Sequence, residues 1–452
     1  MISASGPRLA RKRAGLAFLL LLLLFAGALV FLDLRGEDPV SAGQQAVPAT
    51  PALPAAQPSP ATQAQVERGR YLAAAGNCAG CHTDRSGAAY AGGAGIATPF
   101  GTVFPGNLTP DPATGLGQWT SDHFWRALHD GRSRDGRLLY PAFPYPSFTH
   151  VTRADSDAIF AYLQSLAPVA RANRAHELRF PYDSQLALAA WRALFFSPGG
   201  HVEDPAETAQ WNRGAYLVKG LGHCADCHAP RNALGATVHD EGLSGGLIPM
   251  QDWYAPSLTS AHEAGVADWE IEHIVELLGT GVSPRGSVIG PMADVVYDST
   301  QHLADADLQA IAVYLKSMPQ TLDRPARARI ERNPEVMARG AAVYDEHCAQ
   351  CHGTSGEGAS VQTDATSGAA ARVVYPPLAG NRAVTLDSPI NLIRIVRSGG
   401  FLPATSGNPR PYGMPPFSHV LDGRDVADVL TFIRGAWGND AAPVVPQQLL
   451  QH

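Results

Sequence analysis

Hydrophobic and polar positions divide the chain into an apolar run, a polar stretch and a long region with helical periodicity. Basic residues at positions 8–13 precede an apolar run over about 14–32. As a helix, this run would span roughly 28 Å, close to the ~30 Å hydrocarbon core of a bilayer. It predicts a membrane anchor over 1–32 with its N-terminus inside. The alternative is a cleaved signal peptide, for which Val40-Ser41-Ala42 is the best cleavage point.

Residues 33–64 show no apolar periodicity and are rich in proline, alanine, glutamine, serine and threonine. A proline-rich stretch of this kind is semi-extended and does not pack. It predicts a linker that holds the first folded domain away from the bilayer.

The hydrophobic pattern after residue 65 repeats three times, and each repeat opens and closes with a predicted helix. The opening segments share an Arg-Gly pair, and the closing segments have acidic starts at 155–166, 305–318 and 422–437. Glycine on one helix lets a neighbouring helix approach, which predicts close contacts of Gly69 with Tyr162, Gly214 with Tyr314 and Gly340 with Phe432. The repeats predict domains over 65–200, 201–325 and 334–440, followed by a C-terminal tail over 441–452.

Composition narrows the class of protein. A length of 452 residues suggests about three domains. Charged residues make up 17% of the chain, below the usual ~25%. The 45 glycines and 36 prolines predict much loop and turn. A net charge of -7 and a pI near 6.1 argue against a nucleic-acid-binding surface, which is usually basic.

All six cysteines fall into three copies of Cys-x-x-Cys-His, the attachment signature of a c-type haem. Residues i, i+3 and i+4 share a face of one helical turn, so both sulfurs and the imidazole can address one flat macrocycle. A zinc site, a disulfide framework or a redox Cys-x-x-Cys are the other interpretations of such pairs. Three copies that use every cysteine favour haem. The sequence therefore predicts three covalently bound haem c groups on Cys78, Cys81, Cys224, Cys227, Cys348 and Cys351, with His82, His228 and His352 as iron ligands.

These motifs and helix pairs resemble the class I cytochrome c fold, repeated three times over 66–440. The resemblance implies an all-α protein with three tandem cytochrome c domains after the anchor and linker. It also implies a Pro-x-Leu-like turn whose carbonyl orients the proximal histidine through its Nδ1 hydrogen. Pro256-Ser257-Leu258 and Pro376-Pro377-Leu378 are the candidates. Pro105-Gly106-Asn107-Leu108 is a looser fit, so no residue is assigned in the first domain.

The same fold usually brings a methionine from a late loop to the distal face of the haem. Met292 follows His228 by 64 residues and Met414 follows His352 by 62, which predicts both as sixth iron ligands. In the first domain Phe143, with no ligating atom, stands 61 residues after His82. Three possibilities remain for that iron: ligation by His150, which is preferred, ligation by His129, or a five-coordinate iron under an aromatic lid.

Two longer stretches are similar to the membrane-bound tri-haem cytochrome c subunits of bacterial periplasmic dehydrogenases for alcohols, gluconate and aldehydes. They are Gly222-His223-Cys224-Ala225-Asp226-Cys227-His228-Ala229-Pro230-Arg231-Asn232 and Tyr375-Pro376-Pro377-Leu378-Ala379-Gly380-Asn381. The resemblance implies electron transfer from a separate catalytic subunit to ubiquinone or another respiratory acceptor, on the periplasmic side of the cytoplasmic (inner) membrane. The Phe143 loop and residues 407–414 favour a molybdenum aldehyde dehydrogenase with a small iron-sulfur subunit as the partner.

No Walker loop, Gly-x-Ser-x-Gly elbow or dinucleotide fingerprint is present in the sequence. We therefore expect the chain not to be the subunit that oxidises the substrate. The alternatives are the cytochrome subunit of a PQQ alcohol or FAD gluconate dehydrogenase, a haem enzyme that uses the methionine-less first haem, and a freestanding carrier or oxidase domain.

Overall fold

The computed structural model describes residues 60–238, 242–321, 332–361 and 372–449, together with Leu20, Leu24 and Gly27. The predicted anchor over 1–32 lies outside the described residues apart from those three positions. Most of the predicted linker also lies outside them, but its last residues, from Pro60 onwards, are helical. In the part of the chain that is described, no helix combines the length and apolar character needed to cross a membrane.

Three pairs of packed helices organise the structure, and we call them the first, second and third units. Each unit has an opening helix that packs against a closing helix. The opening helices are Pro60–Ala75, Ala209–Tyr216 and Pro334–His347, and the second continues as a π-helical turn, Leu217–Leu221. The closing helices are Arg153–Ser165, Asp305–Ser317 and Gly423–Ile433.

Side-chain caps explain where several of these helices begin. The Thr152 hydroxyl accepts a hydrogen bond from the Asp155 amide, and the Thr208 hydroxyl accepts one from the Trp211 amide. The third closing helix ends at Ile433, earlier than predicted. The chain then turns back, so that the Trp437 ring packs 4.8 Å from the ring of Tyr344 on the opening helix.

The predicted glycine contacts are confirmed in all three units. A Cβ atom added to the glycine would lie 2.7–2.8 Å from the Cβ of the aromatic residue on the closing helix and would also meet a backbone carbonyl there. The pairs are Gly69 with Tyr162, Gly214 with Tyr314 and Gly340 with Phe432. No side chain fits between the helices at these positions.

We expect Gly214→Ala to destabilise the second unit by about 2–3 kcal/mol, because its methyl group would overlap the backbone of the closing helix. Gly279→Ala is the matched control, since a Cβ there meets only the Leu308 side chain, at 3.5 Å. Alanine is also the better helix former at such a position. Thermal unfolding of the two variants measures the difference. Equal midpoints would contradict the close helix crossing.

The all-α prediction is incomplete, because the described residues also contain five short antiparallel sheets. Their strands are two to four residues long and lie in the loops between the helices. Several of these loops turn at glycines with positive φ, such as Gly101 at 129°. The strands are Ile96–Thr98, Gly101–Val103 and Glu177–Leu178; Gly246–Ile248 and Trp253–Ala255; Val282–Ser283 and Gly286–Ser287; Ala359–Val361 and Arg372–Tyr375; Gly400–Phe401 and Gly413–Met414.

Each unit also has a middle helix that ends at a glycine with positive φ, from which the segment that leads to Phe143, Met292 or Met414 departs. These helices are Ser121–Asp130, Ile271–Thr280 and Ile390–Ser398, followed by Gly131, Gly281 and Gly399. Three short helices carry the Cys-x-x-Cys-His motifs: Cys78–His82, Ala225–His228 and Ala349–His352. The other helices of the described residues are Tyr145–Phe148, Gln185–Phe195, Pro291–Asp298, Thr300–His302 (3-10), Arg382–Thr385 and Pro446–Leu449.

The three units do not each have a separate hydrophobic core. The first and second units share one cluster, to which Leu72 and Phe148 of the first and Leu221 and Ile311 of the second belong. The third unit has a cluster of its own, which includes Val444 and Leu449 from the predicted C-terminal tail. The first two units are therefore packed as one body.

Candidate haem-binding sites

The three Cys-x-x-Cys-His motifs lie directly after the opening helices on short helices of their own. These are Cys78–His82, Ala225–His228 and Ala349–His352. In the first two units a residue with positive φ turns the chain between opening helix and motif: Asn77 at 50° and His223 at 36°. The helical conformation places the second cysteine and the histidine one turn from the first cysteine, as the spacing predicts.

In each motif the histidine ring is held by a backbone carbonyl from a distant loop. His82 Nδ1 lies 2.7 Å from the Gly106 oxygen, His228 Nδ1 lies 2.7 Å from the Pro256 oxygen, and His352 Nδ1 lies 3.0 Å from the Pro376 oxygen. A carbonyl can only accept, so Nδ1 carries the hydrogen and donates it. Nε2 then keeps its lone pair, which is the arrangement that an iron ligand needs.

The Pro256 and Pro376 turns are confirmed as the predicted histidine partners, whereas Gly106 was missed. All three carbonyls precede by two residues a leucine that packs against a core: Leu108, Leu258 and Leu378. In the first unit, the position two residues before Leu108 would have identified Gly106 as the histidine partner. A proline at that position is not required, because the histidine contacts a backbone carbonyl, which every residue has.

Burial sets the protonation of these groups. It raises the pKa of the Cys78 and Cys224 thiols to about 12 and that of Cys348 to about 11. Burial also lowers the pKa of the three motif histidines, and the hydrogen bond to the carbonyl opposes this only in part. The imidazoles are therefore neutral and able to ligate iron.

The residues present fit haem c. All six cysteines are free thiols, two in each motif, beside one histidine whose tautomer is fixed. Among the described residues, no cluster of three or more His, Cys, Asp or Glu side chains is arranged to hold a metal ion without haem. Covalent haem attachment accounts for the thiols and the imidazole of each motif together.

Comparison with known proteins decides the family. The cytochrome c family model matches residues 66–167 and 337–437, which contain the first and third motifs. The cytochrome c subunit of alcohol dehydrogenase (quinone) from Gluconobacter oxydans (strain 621H) is 38% identical over 415 residues, covering 88% of this chain and 84% of that protein. This chain belongs to the cytochrome c family.

Other relatives of this cytochrome have similar names. The gluconate 2-dehydrogenase cytochrome c subunit of Pantoea cypripedii is 39% identical over 407 residues, covering 85% of this chain and 88% of that protein. The fructose dehydrogenase cytochrome subunit of Gluconobacter japonicus is 32% identical over 417 residues, covering 86% of this chain and 83% of that protein. Membership of the family implies covalently bound haem c.

The loop that follows the middle helix is closed by an equivalent backbone hydrogen bond in the first two units of this cytochrome, with one more residue inside the loop in the first unit. The Leu139 amide donates to the Gly131 carbonyl at 2.7 Å, and the Val288 amide donates to the Gly281 carbonyl at 2.9 Å. Phe143 and Met292 each lie four residues beyond these bonds. The structure thus supports placing Phe143 where the second unit has methionine.

The two predicted methionine ligands lie in different local structures. Met292 is near the start of the helix Pro291–Asp298 and packs against a small cluster of Val288, Ala293 and Val296. Met414 is in the strand Gly413–Met414, and its side chain packs against the hydrophobic cluster of the third unit. Their ligation of iron stays a prediction.

The aromatic groups around Phe143 connect the first unit to the second. The Phe143 ring centroid lies 5.5 Å from that of Phe148, and the Phe148 centroid lies 5.5 Å from that of His223, next to the second haem motif. His150 Nδ1 lies 3.5 Å from the Gly200 oxygen. His129 Nδ1 lies 2.7 Å from Asp130 Oδ1. Ligation of the first iron by His150 stays a prediction.

Proposed function

We propose that this cytochrome carries three haem c groups and is the electron-transfer subunit of a membrane-bound periplasmic dehydrogenase complex. The observation that carries the proposal is the threefold repetition of one arrangement: a pair of free cysteines beside a histidine whose Nδ1 is held by a backbone carbonyl. When bound, haem c supplies one-electron redox chemistry at a histidine-ligated iron. The protein's own backbone carbonyls orient the imidazole and fix its tautomer.

The names of the relatives support a catalytic dehydrogenase subunit as the partner. Two of them are cytochrome c subunits of an alcohol dehydrogenase and a gluconate dehydrogenase, and this chain covers 84% and 88% of their lengths. By analogy, this cytochrome accepts electrons from a separate catalytic subunit and passes them to ubiquinone or another respiratory acceptor. Anchored by residues 1–32, it would lie on the periplasmic side of the cytoplasmic membrane.

A molybdenum aldehyde dehydrogenase with a small iron-sulfur subunit is the partner we favour. The Phe143 loop and residues 407–414 support this choice. The relatives whose names specify quinone alcohol or gluconate dehydrogenases support the alternative, a PQQ alcohol or FAD gluconate dehydrogenase. Phe143 in place of a methionine supports the remaining alternative, a haem enzyme that acts at the first haem.

Purification of the tagged full-length chain from detergent-solubilised membranes tests the proposal. We expect a large catalytic subunit and a small iron-sulfur subunit to co-purify, and the intact mass of the cytochrome to show three haems. Adding aldehyde, alcohol and gluconate in turn to washed membranes should reduce the haem absorbance with aldehyde. Reduction by alcohol or gluconate alone would transfer the proposal to the alternative partners, and a chain that purifies alone would indicate a carrier.

A further inference from the structure

Two tyrosines cross between the first and second units in a reciprocal way. They occupy the same place in the opening helices, two residues after the glycine of each helix crossing. The Tyr216 hydroxyl donates to Asp155 Oδ2 of the first unit at 2.7 Å. The Tyr71 hydroxyl donates to Asp307 Oδ2 of the second unit at 2.6 Å. Each tyrosine therefore reaches the closing helix of the other unit.

The rest of each contact is duplicated as well. Arg68 Nε donates to Asp155 Oδ1 and Arg213 Nε donates to Asp307 Oδ1, both at 2.9 Å and both within one unit. Each tyrosine oxygen also accepts a backbone N–H from the residue before the other closing helix. The donors are Thr152 at 3.2 Å for Tyr216 and Ala304 at 3.1 Å for Tyr71.

This reciprocity is that of a two-fold symmetric dimer, in which residue i contacts j and j contacts i. Here the two halves belong to one chain. We call the two sets the tyrosine locks: Arg68, Asp155 and Tyr216 form one, and Arg213, Asp307 and Tyr71 form the other.

The charge of the lock that contains Asp307 is fixed. Burial would raise the pKa of Asp307, but the hydrogen bonds from Arg213 and Tyr71 outweigh it and hold that pKa below its usual range. Burial, together with the hydrogen bond to Asp307, raises the pKa of Tyr71 to about 12. The carboxylate therefore stays ionised and the hydroxyl stays a donor at neutral pH.

The third unit lacks such a lock. Ala342 stands where the other units have tyrosine. Arg339 Nε donates instead to Asp428 Oδ2 at 2.6 Å, within the unit. The third unit is joined to the second by other groups. Arg382 forms an ion pair with Asp268, and the Asn391 side chain hydrogen-bonds to both backbone groups of Tyr254.

The locks lie across the interface at which the first two haem motifs approach each other. The helix Pro291–Asp298 of the second unit packs against the motif helix Cys78–His82 of the first. In the other direction, the Phe148 ring of the first unit packs on His223, beside the second motif. A rotation of one unit against the other would move both contacts.

We propose that the first and second units form a two-haem module whose internal geometry is set by the tyrosine locks, with Tyr71 and Tyr216 as positioning residues. The third unit is attached to this module as a separate body. The inference rests on the proposed function only for the statement that both sites hold haem.

Tyr71→Phe, Tyr216→Phe and the double variant, made in the full-length mature protein, test this inference. Loss of one hydroxyl removes the acceptor for a single amide in the other unit. We expect hydrogen exchange at Ala304 to rise about tenfold in Tyr71→Phe, and at Thr152 in Tyr216→Phe. In a spectroscopic redox titration of the double variant, both of the first two haem potentials should shift, while the third stays unchanged. The reason is that water entering a loosened interface raises the effective dielectric constant several-fold.

Tyr344→Phe is the matched control, because the Tyr344 hydroxyl donates to the Gly353 oxygen, at 2.6 Å, within the third unit. It should leave both cross-unit amides and the first two potentials unchanged. Unchanged exchange in the two single variants would overturn the inference. Faster exchange with unchanged potentials would also overturn it, by showing that the tyrosines only stabilise the fold. An intact mass with fewer than three haems would count against the proposed function, while the exchange measurement still tests the locks.

Discussion

Replacing Cys224 and Cys227 with serine should remove one covalent haem and destabilise the first unit together with the second. Serine cannot form the thioether bonds, so the haem would be lost from a half-buried site. Emptying a core position leaves a cavity, which costs several kcal/mol. The two units share one hydrophobic cluster, so the damage should extend to both.

The double substitution Cys348→Ser and Cys351→Ser is the matched comparison. It removes the same number of thioether bonds from the third unit, which has its own cluster. We expect its effect to stay within the third unit. Intact mass counts the haems, and limited proteolysis with peptide mapping shows which units have loosened. Loss of the second haem with an intact first unit would contradict a shared core.

Phe143→Met should add a thioether ligand to the first iron and raise the potential of that haem. The backbone hydrogen bonds of the loop support this expectation, since Phe143 and Met292 each lie four residues beyond the amide that donates the equivalent bond. Methionine is flexible and similar enough in size that the change in packing should cost less than about 1.5 kcal/mol. Thioether ligation favours ferrous iron, which raises the potential. A gain in sulfur-to-iron absorbance and a redox titration measure the result.

Met292→Phe is the reverse exchange at the equivalent position of the second unit. It should remove sulfur-to-iron absorbance and lower one potential. Low-temperature electron paramagnetic resonance on the unsubstituted protein shows the starting state. One high-spin or bis-histidine signal would agree with a first iron that lacks methionine, whereas three His/Met signals would contradict it. His150→Ala then separates the two cases, because only a bis-histidine signal would respond to it.

Local sequence was sufficient to predict the Cys-x-x-Cys-His motifs and the pairs of opening and closing helices. The spacing of Cys78, Cys81 and His82 places them on one helical turn whatever the rest of the chain does. The helix crossings were also predictable, because Gly69, Gly214 and Gly340 each recur with an aromatic residue on the closing helix. The motif depends on spacing within one short segment, and the crossings were predictable because the same pair of residues recurs in all three repeats.

Features that depend on backbone atoms needed the structure. The Gly106 carbonyl orients His82, but every residue has a carbonyl, so no side-chain pattern identifies the one that will face the ring. The short hairpins likewise depend on the turns of glycine-rich loops rather than on alternating hydrophobic residues. An all-α prediction follows naturally when only periodicity is considered.

The sequence by itself thus determined that the chain has three Cys-x-x-Cys-His motifs, each with its own pair of helices. Only the tertiary structure decided that the first two units share a core and that Tyr71 and Asp307, 236 positions apart, are hydrogen-bonded. The physical reason is that a motif is a property of neighbours along one helix. An interface joins side chains from distant segments, and nothing in either segment alone indicates that they will be in contact.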